Sequence, residues 1–227
     1  MGGQACVFYG AAEFSRDTDL LILADAENLQ RLDAALRELQ AERIAVPPFE
    51  ADYLERGHAV HFRCHHPEAA DMRVDVMSKL RGVDAFPQVW ERRTTITDSD
   101  DMAYELLGLP DLVRAKKTQR SKDWPMLQRL LEAHYLKHRT APTPEQQRFW
   151  LLELRTPEML VEVVRSCAEL VRELSNNRPL LRLASSGAPA ELSDALAAEE
   201  KAEREHDRNY WQPLKAELER LRHPPRL

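Results

Sequence analysis

Ser15-Arg16-Asp17-Thr18-Asp19-Leu20-Leu21-Ile22, set beside Arg73-Val74-Asp75-Val76-Met77, is the stretch whose reading decides the fold. Side chains alternate across a strand, so Asp17 and Asp19 share one face and Thr18 points to the other. The apolar run from Leu20 to Leu23 is expected to anchor this strand in a core. Asp75, flanked by Val74 and Val76, is a charge inside a second strand that otherwise reads as buried. Two adjacent strands set this way bring three carboxylates together, and like charges that close repel unless a cation or a shared proton neutralises them. An oxygen-only donor set suits Mg²⁺ or Mn²⁺ rather than zinc. The chemistry it points to is metal-dependent phosphoryl or nucleotidyl transfer. Two plainer readings stand beside it. Asp17 and Asp19 are then the exposed face of an edge strand, and Asp75 pairs with Arg73.

The context of the acidic pair narrows the choice. The blocks are Gly2-Gly3-Gln4-Ala5, Tyr9-Gly10, Ser15 to Ile22, Arg73 to Met77, and Leu112-Val113-Arg114-Ala115-Lys116 followed by Lys122-Asp123. Together they resemble the DNA polymerase beta-like nucleotidyltransferase superfamily. Within it they look most like the small bacterial nucleotidyltransferases related to AbiEii-type toxins. The resemblance covers roughly residues 1 to 135.

It implies that Asp17 and Asp19 hold two metals, while Asp75 holds the catalytic one and helps activate an acceptor hydroxyl. Two such metals, about 3.5–4 Å apart, clamp the attacking and leaving oxygens of an in-line displacement. Gly2 and Gly3, in a turn that opens a helix, let the backbone approach a triphosphate. Ser15 and Lys116 are further nucleotide contacts by the same resemblance, with Asp123 orienting the lysine and Arg73 in a supporting place. The implied donor is an NTP such as ATP. The implied acceptor is RNA, a protein or a small molecule, in a toxin–antitoxin setting with an antitoxin partner.

The sequence departs from the family pattern in three places. Phe14 stands where relatives often carry Arg, and Thr18 replaces a more apolar residue. Relatives also have a strand, commonly with a helix before it, ahead of the glycine turn. Here Met1 alone precedes Gly2, and the expectation is that the start site is placed too late. The alternative reading is a degenerate nucleotidyltransferase fold that binds nucleotide or a partner without catalysis.

Composition narrows the class of protein. With 227 residues, 43% of them hydrophobic and 31% charged, the chain has enough apolar material for a full core. The net charge of −6 argues against a generally basic nucleic-acid-binding surface. Cys6, Cys64 and Cys167 are odd in number and far apart, which fits a reducing cytoplasm rather than a disulfide framework. Neither a membrane span nor a signal peptide is visible, so the expected location is cytoplasmic.

The expected fold class is α+β, a mixed sheet flanked by helices with a helical C-terminal half. Expected divisions are a catalytic sheet domain over 1–97, a helical part packed on the sheet over 98–139, and a helical extension over 140–227. Leu29, Leu32, Leu36 and Leu39 predict an amphipathic helix over 26–42. Strands are expected over 15–23 and 57–64, and around Asp75. Pro110-Asp111 opens a helix that runs into the basic cluster Arg114 to Lys122, and a second helix runs from about Asp123 to Lys137. Residues 145–175 and 190–222 read as helices, separated by a break around Ser185 to Pro189.

Other clusters carry weaker signals. Arg92-Arg93 is a candidate contact to nucleotide or acceptor. His58, His61, Cys64, His65 and His66 do not match the spacing of a closed zinc site. Cys64 has no orienting residue for a Cys–His nucleophile. The apolar positions from Phe149 to Leu170 read as core or subunit-interface packing.

Overall fold

The computed structural model describes residues 1–187 and 189–223. The chain divides into two compact units. The first contains residues 1–8, 12–115 and the chain from Arg208 onward; the second contains 9–11 and 116–207.

The first unit is built on a mixed sheet. Its elements are α1 (Gly2–Phe8), β1 (Asp17–Leu21), α2 (Ala26–Glu38), β2 (Glu42–Arg43), α3 (Ala51–Arg56), β3 (Val60–Arg63) and β4 (Arg73–Met77). The strand order is β1-β4-β3-β2, with β1 parallel to β4 and the other pairs antiparallel. One face of the sheet is apolar: Val60, Phe62, Val74 and Val76 are buried there with Leu36 and Leu54, and Leu20, Ile22, Leu29 and Leu32 pack against them. The alternation in β4 is complete, since Val74 and Val76 are buried while Arg73, Asp75 and Met77 are only partly covered. Of the run expected to anchor β1, Leu20 and Ile22 reach this core and Leu23 is exposed, because the run alternates like any other strand.

Several boundaries differ from those expected. The helix placed over 26–42 ends at Glu38, and the strand placed over 57–64 begins at Val60. Residues 57–59 form the turn that follows α3 instead. Gly57, at φ 100°, closes α3 in the left-handed conformation, and the amides of Gly57 and His58 return to the Leu54 and Tyr53 carbonyls. Past β4 come α4 (Phe86–Glu91) and an antiparallel hairpin of β5 (Thr94–Thr97) and β6 (Ala103–Leu106), the latter inside a segment expected to be helical. The unbroken β-branched run Thr94-Thr95-Ile96-Thr97 favours β5. Asp98 fixes the turn by accepting from the amides of Asp100 and Met102 and from the Tyr104 hydroxyl. Helix α5 (Leu109–Lys116) starts at the expected Pro110-Asp111.

The second unit is helical: α6 (Asp123–His138), α7 (Pro144–Glu153), α8 (Pro157–Ser166), α9 (Ala168–Leu174), α10 (Leu181–Ser186) and the first part of α11 (Pro189–Arg222). The single helix expected over 145–175 is three helices. Thr143 caps α7 with a reciprocal bond to Gln146, Pro157 restarts the chain at α8, and Cys167 separates α8 from α9. Helix α10 was not expected. Of the Ser185 to Pro189 break, Ala188 lies outside the described residues. Trp124, Leu127, Leu131, Trp150, Leu151, Leu160 and Leu192 are buried in this unit. Among the described residues, no helix is long and apolar enough to cross a membrane.

The second unit carries a built-in acid sensitivity. The Trp150 indole N–H donates to His134 Nδ1 at 2.9 Å, which requires that nitrogen to be unprotonated. Burial, then the charges of His138 and Lys137, push His134 from its ordinary 6.5 down to about 4. A depressed histidine contributes stability that is present above pH 6.5 and is lost as pH falls toward 4. Allowing for solvent screening, the loss is about 1–2 kcal/mol. Denaturant melts between these limits should show this slope in the wild type and a flatter profile in His134→Phe. Equal slopes would remove His134 as the cause.

Candidate active site

The polar face of the sheet gathers the acidic residues. In the parallel pair, Asp19 lies opposite Asp75 and Asp17 opposite Arg73. In the neighbouring antiparallel pair, His61 lies opposite Asp75. Residues at matched register point to the same side, so Asp17, Asp19, Asp75, Arg73 and His61 share one face while the valines fill the other. Three carboxylates on two adjacent strands is the arrangement expected from the alternation.

The start of α1 is moulded to Asp19. Gly2 sits at φ 64°, and a Cβ built there would lie 1.9 Å from Asp19 Oδ2. The Gly3 amide donates to that same oxygen at 3.3 Å. A Cβ on Gly3 would meet Ser15 Oγ at 2.4 Å. The Ser15 hydroxyl donates to the Asp17 carbonyl at 3.0 Å. Gly2, Gly3, Ser15 and Asp19 therefore form one close-packed group, and the missing side chains of the glycines make room for a carboxylate and a hydroxyl.

Asp75 is held from two sides. Its Oδ1 accepts from Arg73 Nε at 2.8 Å and faces His61 Nδ1 at 2.7 Å. Burial alone would raise its pKa, but the hydrogen bonds and charges of His61 and Arg73 outweigh that and hold the carboxyl below the usual range. Asp75 thus stays ionised through neutral pH. Its Oδ2 takes no hydrogen bond among the described residues.

These donors fit a divalent cation in kind. They are carboxylate oxygens, two at paired register and the third two positions along the same face. As the side chains stand, no three His, Cys, Asp or Glu groups among the described residues converge closely enough to hold a metal. Arg73 and His61 supply the positive and hydrogen-bonding partners of Asp75, and a cation there would share Asp75 with them.

Lys116 and Asp123 belong to the second unit and pair with each other, Nζ to Oδ1 at 3.7 Å. Asp123 is buried and also accepts from the Thr118 hydroxyl and Arg120 Nε. Arg92 is engaged by Asp84 and buried Asp111, and Arg93 by Glu105. His58 contacts Glu217 at 2.8 Å, so His58 and His61 serve different carboxylates. Burial pushes the Cys64 thiol up, away from the thiolate a nucleophile needs. The residue that sequence reasoning undervalued is His61, weighed only against zinc. The signal for it was present: in the alternation of β3, His61 opposes two buried neighbours, Val60 and Phe62.

No family model matches the chain, and no curated protein matches it.

Proposed function

We propose that the chain is a metal-dependent nucleotidyltransferase, moving a nucleoside monophosphate from an NTP to an acceptor hydroxyl. The observation that carries this reading is the register pairing of Asp19 with Asp75, with Asp17 on the same face and Gly2 shaped around the Asp19 carboxylate. Asp17, Asp19 and Asp75 would hold Mg²⁺ or Mn²⁺, which when bound supplies charge neutralisation at the reacting phosphate.

The acceptor oxygen forms a bond to the α-phosphorus, the bond to pyrophosphate breaks, and the hydroxyl proton passes to water. Asp75, kept ionised by His61 and Arg73, serves better as a fixed negative charge than as a proton acceptor. Gly3 and Ser15 orient Asp19 and the strand that bears it. RNA, a protein side chain and a small molecule are the acceptor classes, in a cytoplasmic toxin–antitoxin setting with an antitoxin as partner.

One observation favours a second reading. Asp75 is already paired with Arg73 and in hydrogen-bond contact with His61, as in a nucleotidyltransferase fold that binds nucleotide or a partner without transfer. Thermal unfolding with each NTP, with and without Mg²⁺, separates the two. A nucleotide at a hundred times its dissociation constant adds about 2.7 kcal/mol to the native state. The transferase requires that gain to depend on metal. A gain without metal dependence supports the binding protein, and no gain with any nucleotide removes the transferase.

A further inference from the structure

The helical unit holds an open pocket of about 330 Å³, lined by Ser121 just before α6, Trp124 and Gln128 of α6, Arg155 from the loop before α8, and Ala197 and Glu200 of α11. Its size falls in the range of small-molecule pockets, about 300–1,000 Å³. Arg155 is its unusual member. The side chain is only 8% exposed, yet a guanidinium carries five N–H donors and among the described residues this one makes a single hydrogen bond, from Nη2 to the Leu196 carbonyl at 2.9 Å. Its nearest carboxylate, Glu199, stands 3.7 Å away, beyond hydrogen-bond reach.

The charge balance around it is also incomplete. Glu199 is already bonded by Arg178, through Nε and Nη2 at 3.0 and 2.9 Å. Glu199 therefore serves two buried guanidiniums, and Glu153, whose charge also reaches Arg155, is paired with Lys117 at 2.7 Å. Glu200 at the cavity wall is engaged by Arg204 at 3.3 Å. Burial, then the charge of Arg178, lower the Arg155 pKa against the opposing charges of Glu199, Glu153 and Glu200. The Trp124 ring lies under the Arg155 guanidinium at 4.7 Å and fixes its plane, while the indole N–H is taken by the Thr118 carbonyl. No Arg155 nitrogen is both buried and unbonded, so its remaining donors open onto the pocket, where a planar oxyanion is the group that a preset guanidinium fork accepts.

We infer that this cavity is a binding site for a small organic oxyanion, with Arg155 taking the anionic group and the Trp124 side of the cavity covering the apolar body. The site lies wholly within the helical unit and does not depend on the nucleotidyl-transfer reading.

Fluorobenzoate, followed by its fluorine NMR line, is the probe. The line should broaden with the full-length protein and sharpen again when acetate or inorganic phosphate is added. Recovery with acetate alone assigns a carboxylate ligand, and recovery with phosphate alone assigns a phosphoryl one. Arg155→Lys keeps the charge but loses the fork, and should weaken binding about tenfold or more. Because an Arg155 variant risks the local fold, Ala197→Phe supplies an independent arm. Ala197 is exposed on α11, and a ring there fills the cavity while leaving Arg155 intact. Loss of broadening in Ala197→Phe supports the site. Absence of broadening in the wild type overturns it, as does broadening that neither variant changes or that neither competing anion reverses.

Discussion

Asp19→Asn is expected to lower the rate of nucleotide transfer by about a thousandfold, and Asp75→Asn by a similar factor. A bound cation supplies several kcal/mol of charge stabilisation in the transition state, and each 1.36 kcal/mol is tenfold in rate, so losing about 4 kcal/mol gives that factor. Asparagine keeps the shape of the side chain, which matters because Gly2 leaves no slack around Asp19 Oδ2. The amide NH₂ also cannot accept from the Gly3 N–H, whereas the carboxylate oxygen does so at 3.3 Å. The metal-dependent gain in thermal stability with NTP should vanish in the same variants. Asp25→Asn is the matched control: Asp25 caps α2 through the Asn28 amide, and asparagine caps as well as aspartate. Transfer within about tenfold of wild type in Asp19→Asn would remove the carboxylate pair from the chemistry.

The largest expected effect on stability is at Arg178. This residue is 4% exposed, and its side chain closes the end of α7, donating from Nη1 to the Leu151 carbonyl at 2.9 Å and from Nη2 to the Leu154 carbonyl at 2.8 Å. The last carbonyls of a helix have no partner within it, and here a guanidinium supplies one. The same group holds Glu199, so Arg178→Met leaves two carbonyls and a carboxylate without their main donor. Removing one partner of a buried ion pair costs about 3–5 kcal/mol. Chemical denaturation followed by circular dichroism should show the loss, and Arg178→Met combined with Glu199→Leu should recover part of it. A cost under about 1 kcal/mol would mean that solvent readily replaces the guanidinium.

The acidic face was legible because strand alternation is a short-range rule. Asp75 between two buried valines, and Asp19 beside Leu20, which packs on the same core, fixed which way the carboxylates point, and pairing β1 with β4 in parallel needed only that both apolar faces meet one core. The partners of Asp75 were half legible: Arg73 is two residues away and visible, while His61 depends on a register that sequence does not state. Arg178 gave no signal at all, since its partners, the α7 carbonyls and Glu199, lie 21 to 27 positions away. The missed α3 and α10 are each six residues long, too short for an apolar period to show. The division of the chain was also opaque, because the residues after Arg208 return to the unit that begins the sequence.

That return affects how the protein is made. His58 is 1% exposed, and its recorded partner is Glu217, 159 positions later in the chain. A ribosome delivers β1, β3 and β4 early, and the intervening helical unit is complete by Asp207. The sheet unit must then wait, with His58 lacking its carboxylate, until the segment containing Glu217 emerges. The unit whose sheet is synthesised first is therefore completed only after the helical unit.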